Sequence, residues 1–210
     1  TVALAAGESF ELEFDKQNSL TNILVSPATM AALVENGHVV QAPGGLIIMS
    51  AQAANQLQSG VVKNTGSLQA TGLVNNGGVI RLSASRKIQN TGTITADAAP
   101  ASKGKGGDIV LIADLSNPDS TAIIGGTLSA RGGDLGGDGG FVETSGSKVS
   151  IQDDAKVTTL SPIGKTGTWL VDPTDFTISS GSTALSSSGI GVTTLQNSLA
   201  NTSVSLTTNN

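Results

Sequence analysis

Apolar residues in this chain fall in short alternating runs rather than on helical faces. "LIIMSA" (46–51), "VIRLSA" (79–84), "DIVLIA" (108–113) and "FVETSG" (141–146) each follow a glycine pair, at 44–45, 77–78, 106–107 and 139–140. "TWLVDP" (168–173), behind Gly167, closes the series, and "TVALAAG" (1–7) opens it with the same kind of strand. Period-2 alternation rich in β-branched residues and bounded by Gly, Asn and Asp predicts strands.

A second pattern keeps step with the first. Asn-x-Gly-x-aliphatic-x-Ala occurs as "NGHVVQA" from 36, "NTGSLQA" from 64 and "NTGTITA" from 90; a degenerate copy, "IGGTLSA", starts at 124 and a weaker one, "DDAKVTT", at 153. The start-to-start intervals are 28, 26, 34 and 29 residues. Two markers in step identify an internal repeat, and such a unit cannot bury its apolar face without a neighbour. Helical repeats need longer amphipathic runs than these units hold.

The predicted fold class is therefore all-β, a parallel β-helix with a few short helices and an extra hairpin outside the coils. Val40, Leu68, Ile94, Leu128 and Val157 are expected to stack inward as one ladder, and Asn36, Asn64 and Asn90 as another. The asparagines are expected to take left-handed corners and bond backbone, and the glycine pairs to supply corners with φ > 0.

Residues 1–210 read as a single β-helix segment of a longer protein. Residues 1–60 carry coils with hairpin and short-helix insertions, 61–178 regular coils, and 179–210 Ser/Thr-rich continuing coils. "ESFELEFDKQNSLTNILV" (8–25) predicts the hairpin. "SPATMAALVENG" (26–37), with a Ser cap and Pro at the first helical position, predicts a short helix. "SAQAANQLQS" (50–59) predicts another, and "TTLQNSLANTSVSL" (193–206) a third that leads into a strand.

Composition narrows the function classes. Glycine reaches 27 of 210 residues, and aromatics are limited to four Phe and one Trp, so the core is built from thin aliphatic layers. The net charge of −5, without a basic cluster, argues against nucleic acid as a partner. No apolar stretch approaches the ~18 residues of a membrane span, so no transmembrane segment is expected. With no cysteine there is no disulfide scaffold. A start at Thr1 without a leader reads as an excised interior piece.

The sequence also carries a resemblance. "TVALAAGESFELEF", "ATMAALVENGHVVQAPGG", "VVKNTGSLQA", "GGFVETSGSKVSI" and above all "GGFVETSG" (139–146) followed by "WLVDPTDFTI" (169–178) resemble filamentous-haemagglutinin-like exoproteins of the two-partner secretion system, especially the high-molecular-weight adhesins. The resemblance covers nearly the whole chain. It implies a right-handed parallel β-helix, secretion to the Gram-negative cell surface through an outer-membrane barrel transporter (TpsB type), and a role in adhesion or aggregation. The implied partners are that transporter and a host-cell receptor or glycan, or a second copy through self-association. Stems that serve haem-protein acquisition or contact-dependent toxin delivery are the alternative within the same family. The NPNL and NPNG-type motifs of the family's secretion domain are absent, which places this segment just after that domain.

Candidate chemistry is sparse, and neither catalytic residues nor a cofactor or metal site is assigned. His38, the sole histidine, aligns with Gly66 and Gly92 and reads as a corner residue. "RGGDLGGDGGF" (131–141) suggests calcium at Asp134 and Asp138, but one imperfect copy favours a flexible acidic loop. Asp153, Asp154, Lys156 and Arg131 could line the groove of a polysaccharide-active enzyme. Against this, adjacent strand residues face opposite ways, and the alignment puts Asp153 in the asparagine column. Trp169 is expected to pack rather than to stack on a sugar. "SKGKGGD" (102–108) lacks phosphate-loop spacing, leaving Lys103 and Lys105 as loop residues. "NTS" (201–203) fits a glycosylation acceptor at Asn201.

Overall fold

The computed structural model describes residues 1–54 and 59–208. Strands are visited in a repeating order, each layer contributing one strand to each of three parallel sheets. Layer one runs β1 (Val2–Ala6), the excursion β2 (Ser9–Phe14) and β3 (Leu20–Ser26), then β4 (Ala32–Asn36) and β5 (Val39–Gln41). Layer two is β6 (Leu46–Ala51), β7 (Gly60–Asn64) and β8 (Ser67–Gln69); layer three is β9 (Val79–Ala84), β10 (Lys87–Asn90) and β11 (Thr93–Thr95). Layer four is β12 (Asp108–Ala113), β13 (Thr121–Ile124) and β14 (Thr127–Ser129); layer five is β15 (Phe141–Ser145), β16 (Lys148–Ile151) and β17 (Lys156–Thr158). The chain finishes with β18 (Thr168–Asp172), β19 (Thr177–Ser179), β20 (Gly189–Gly191), helix α1 (Val192–Leu199) and β21 (Ser203–Leu206).

The sheet orders are β1-β6-β9-β12-β15-β18-β21, β19-β20-β16-β13-β10-β7-β4 and β17-β14-β11-β8-β5. This arrangement is consistent with a parallel β-helix. With strands about 4.8 Å apart, the seven-strand sheets extend roughly 30 Å along the stack.

The core is a set of vertical ladders. Val40, Leu68, Ile94, Leu128 and Val157 pair in unbroken register, as the repeat predicts. A parallel ladder runs Ile47, Ile80, Ile109, Val142 and Trp169, and all of its members are fully buried. The "TVALAAG" strand takes its expected place, Val2 opposite Ile47.

Two expectations about corners are corrected. Among the glycine pairs only Gly44 has φ in the left-handed region, at 61°. The second glycine of each later pair, and Gly167, is required by stacking: a Cβ on Gly78 would collide with the carbonyl oxygen of Gly45, one on Gly107 with that of Gly78, one on Gly140 with that of Gly107, and one on Gly167 with that of Gly140. Asn36, Asn64 and Asn90 stack and bond neighbouring backbone as expected, their Nδ2 groups donating to the His38, Gly66 and Gly92 carbonyls, but their φ is negative rather than left-handed, and they also bond one another.

Secondary structure outside the repeats follows the sequence in part. β2 and β3 form the antiparallel hairpin, with Phe10, Leu12 and Phe14 exposed on one face. α1 followed by β21 realises the helix and strand expected over 193–206. The helix expected over 26–37 does not form. Ser26 ends β3, Ala28 bridges to Ala53, and Ala32–Asn36 is a strand paired with β7. Ala32, Val34 and Asn36 are buried whereas Leu33 and Glu35 are exposed, so the period is two. Pairing with β7 overrides the local Ser-Pro and alanine signal. Ser50 and Ala51 likewise belong to β6, and residues 55–58 of the helix expected there lie outside the described residues.

Candidate functional site

The site begins with an irregularity in the repeat. From Asn64 to Leu68, and from Ile124 to Leu128, the corner advances four positions; from Ile151 to Val157 it advances six. Register places Ile124 and Ile151 in the column below Asn36, Asn64 and Asn90. Asp153 is therefore not in the asparagine column. It sits with Asp154 in a turn enlarged by two residues between β16 and β17.

That turn forms one wall of a cleft of about 670 Å³. Arg131, Asp153, Asp154 and Lys156 all line it, facing Asn197 and Asn201 at the end of α1. Thr127, Thr158, Ala155, Val157 and Leu160 also line it. Asp153 and Asp154 can share this cleft because they occupy a turn, where the alternation that separates neighbouring strand residues does not apply.

α1 belongs here because the third sheet stops. The other two sheets continue past layer five through β18, β20, β19 and β21, but β17 is the last strand of its sheet among the described residues. The helix starts directly after β20 and packs against β17. Its end is fixed by Asn201, whose Nδ2 donates to the Asn197 carbonyl at 2.8 Å and whose own carbonyl accepts the Thr159 N–H at 3.0 Å.

Arg131, Asp153, Asp154 and Lys156 are exposed, and none of their side chains makes an ion pair or a hydrogen bond with another described residue. Arg131 is anchored through its backbone, its N–H donating to Asp97 Oδ1 at 2.7 Å, and the same oxygen accepts from Ser129 Oγ at 2.7 Å. The cleft thus holds two cationic and two anionic groups, none committed to another group among the described residues.

The other candidates are scattered. His38 is exposed, beside Gly66 in the stack, and its carbonyl accepts the Ser67 N–H at 2.6 Å. Asp134 and Asp138 are exposed; Asp138 Oδ1 accepts the Lys165 N–H at 2.8 Å and so ties its loop to the next layer. Among the described residues no three His, Cys, Asp or Glu side chains gather as metal ligands. Lys105 donates its N–H to Asn76 Oδ1 at 2.9 Å, in a corner earlier in the stack, and both Lys103 and Lys105 are exposed. Trp169 is fully buried, so its ring offers no sugar platform. Asn201 lies in the cleft wall, a position that the acceptor pattern alone did not reveal.

No helix among the described residues is long and apolar enough to cross a membrane. The chain matches no family model, no curated protein and no solved structure.

Proposed function

We propose that this chain is a right-handed parallel β-helical stem of a secreted, surface-exposed exoprotein of the two-partner secretion type, acting in adhesion or aggregation and not in catalysis. The observation that supports this reading most directly is the continuity of register: every layer repeats the same inward ladder, so the chain is built as a stiff stack. Such a stack transmits position and displays side chains without needing a closed globular centre. The outer positions of the shortest sheet fit display, since Ser67, Gln69, Thr93, Thr95, Thr127 and Thr158 present a hydroxyl- and amide-rich face. Export through an outer-membrane transporter belongs to the same proposal and rests on the sequence resemblance.

Binding of the purified, labelled chain to epithelial cells, alongside sedimentation at rising concentration, tests the proposal. Saturable, competed binding or reversible self-association is expected. A folded sample that neither binds nor associates would remove the adhesive role.

A further inference from the structure

We propose that the cleft between β17 and α1 binds an acidic saccharide, a ligand bearing both a carboxylate and vicinal hydroxyls. Its volume of about 670 Å³ falls within the roughly 300–1,000 Å³ typical of small-molecule sites. Its polar groups define the ligand more closely. Arg131 presents a planar fork suited to a carboxylate, and Lys156 adds a second positive charge. Asp153 and Asp154 are acceptors only, and neighbouring hydroxyls of a sugar are matching donors. A simple dianion would satisfy the cations but face the two aspartates, whereas a neutral sugar would leave both cations unmatched. A hydroxyl-rich monoanion matches the whole set.

Main-chain groups contribute as well. β17 bonds to β14 through alternate residues: the Lys156 N–H donates to the Gly126 carbonyl at 2.8 Å, and the Thr158 carbonyl accepts the Ala130 N–H at 2.9 Å. Alternation turns the N–H and carbonyl of Val157 to the opposite edge, which borders the cleft. Thr159, the next residue on that edge, is already bonded to Asn201. An added peptide strand would find only Val157 free, too little for strand pairing, and this favours the saccharide.

The test is titration of the ¹⁵N-labelled chain with galacturonosyl-galactose, a disaccharide carrying a single carboxylate, followed by amide chemical shifts. Neutral galactobiose and a capped Thr-Val-Thr-Val peptide serve as comparison probes. Saturable shifts confined to residues 127–131, 153–160 and 197–201 are expected, with galactobiose weaker by about tenfold or more. Arg131→Gln combined with Lys156→Gln, both exposed positions, should leave the remaining spectrum unchanged and weaken the acidic probe by a similar factor. The proposal is overturned by shifts elsewhere or none, by equal binding of the neutral sugar, by undiminished binding to the double variant, or by preference for the peptide. The wild-type comparison of probes decides the matter even if the variant fails to fold.

Discussion

Asn64 donates from Nδ2 to Oδ1 of Asn90 at 2.8 Å, across a gap of 26 residues in sequence and with both side chains fully buried. Asn36 donates to Asn64 in the same way at 2.8 Å, and Asn90 ends the series on the Gly125 carbonyl at 2.7 Å. The column is satisfied as a unit, because each amide donates onward, Asn64 and Asn90 accept from the amide before them, and Asn36 Oδ1 accepts the His38 N–H at 3.3 Å.

Breaking the column in its middle should cost more than its share. Asn64→Leu removes the shortest acceptor of Asn36 Nδ2, leaving it the longer bonds to the His38 and Ser67 carbonyls, and leaves Asn90 Oδ1 without its Asn64 donor, so a loss of about 2–4 kcal/mol is expected. Layers four and five already carry Ile124 and Ile151 in this column. Converting all three asparagines to Ile should therefore cost less than the sum of the three single changes. Urea unfolding followed by circular dichroism measures both; strictly additive losses would contradict the coupling.

The glycine column makes a sharper contrast. Gly107→Ala would drive a methyl group into the Gly78 carbonyl, a backbone atom fixed by its own layer. A loss of about 3 kcal/mol or more, or failure to fold, is expected. Gly181 has φ 80°, and a methyl group added there would meet no heavy atom within 4 Å, so Gly181→Ala should cost only about 1 kcal/mol. Thermal melting of the two variants should separate them widely, and similar melting temperatures would show that close approach is not what fixes the paired glycines.

Much of this architecture is legible in the sequence because the repeat writes the same physics several times. The ladder through Leu68 and Ile94 follows from spacing alone, since each copy places its aliphatic residue four positions after the corner. The reason for the glycine pairs is not legible: one chain cannot show that its own next layer passes against Cα. The strand at Ala32–Asn36 is hidden by local helix signals, and only its partner β7 decides the matter. The cleft is half visible. Its four charged residues stand out, but the enlarged turn that unites them requires knowing that Ile151, not Asp153, continues the asparagine column. The contribution of α1 cannot be read at all, because it depends on the third sheet ending at β17.

The inward ladder predicts a strong dependence on polarity and a weak one on size. Ile94 is fully buried between Leu68 and Leu128. Ile94→Val should cost about 1 kcal/mol. Ile94→Asp buries a carboxylate with no partner and should cost more than about 4 kcal/mol, unfolding the middle layers. Strand content by far-ultraviolet circular dichroism checks this, and native content in the aspartate variant would contradict the ladder.

Trp169 and Thr144 form the last test. Trp169 continues the aliphatic ladder below Val142, and its indole N–H donates to Thr144 Oγ1 at 3.0 Å in the buried interior. Thr144 itself interrupts a neighbouring ladder of Met49, Leu82 and Leu111. A hydroxyl there is costly unless it meets a partner, and the indole supplies one. Thr144→Val is therefore expected to destabilise by about 1–3 kcal/mol although it makes the core more apolar, because it leaves the indole N–H unpaired. Adding Trp169→Phe removes that orphaned donor, so the double variant should lose less than the two single losses combined. Because Trp169 is the sole tryptophan, the native protein should emit as a shielded indole and resist acrylamide quenching, and the same signal follows unfolding of the single threonine variant. A Thr144→Val protein as stable as the native one would mean that this hydrogen bond does not explain the hydroxyl in the core.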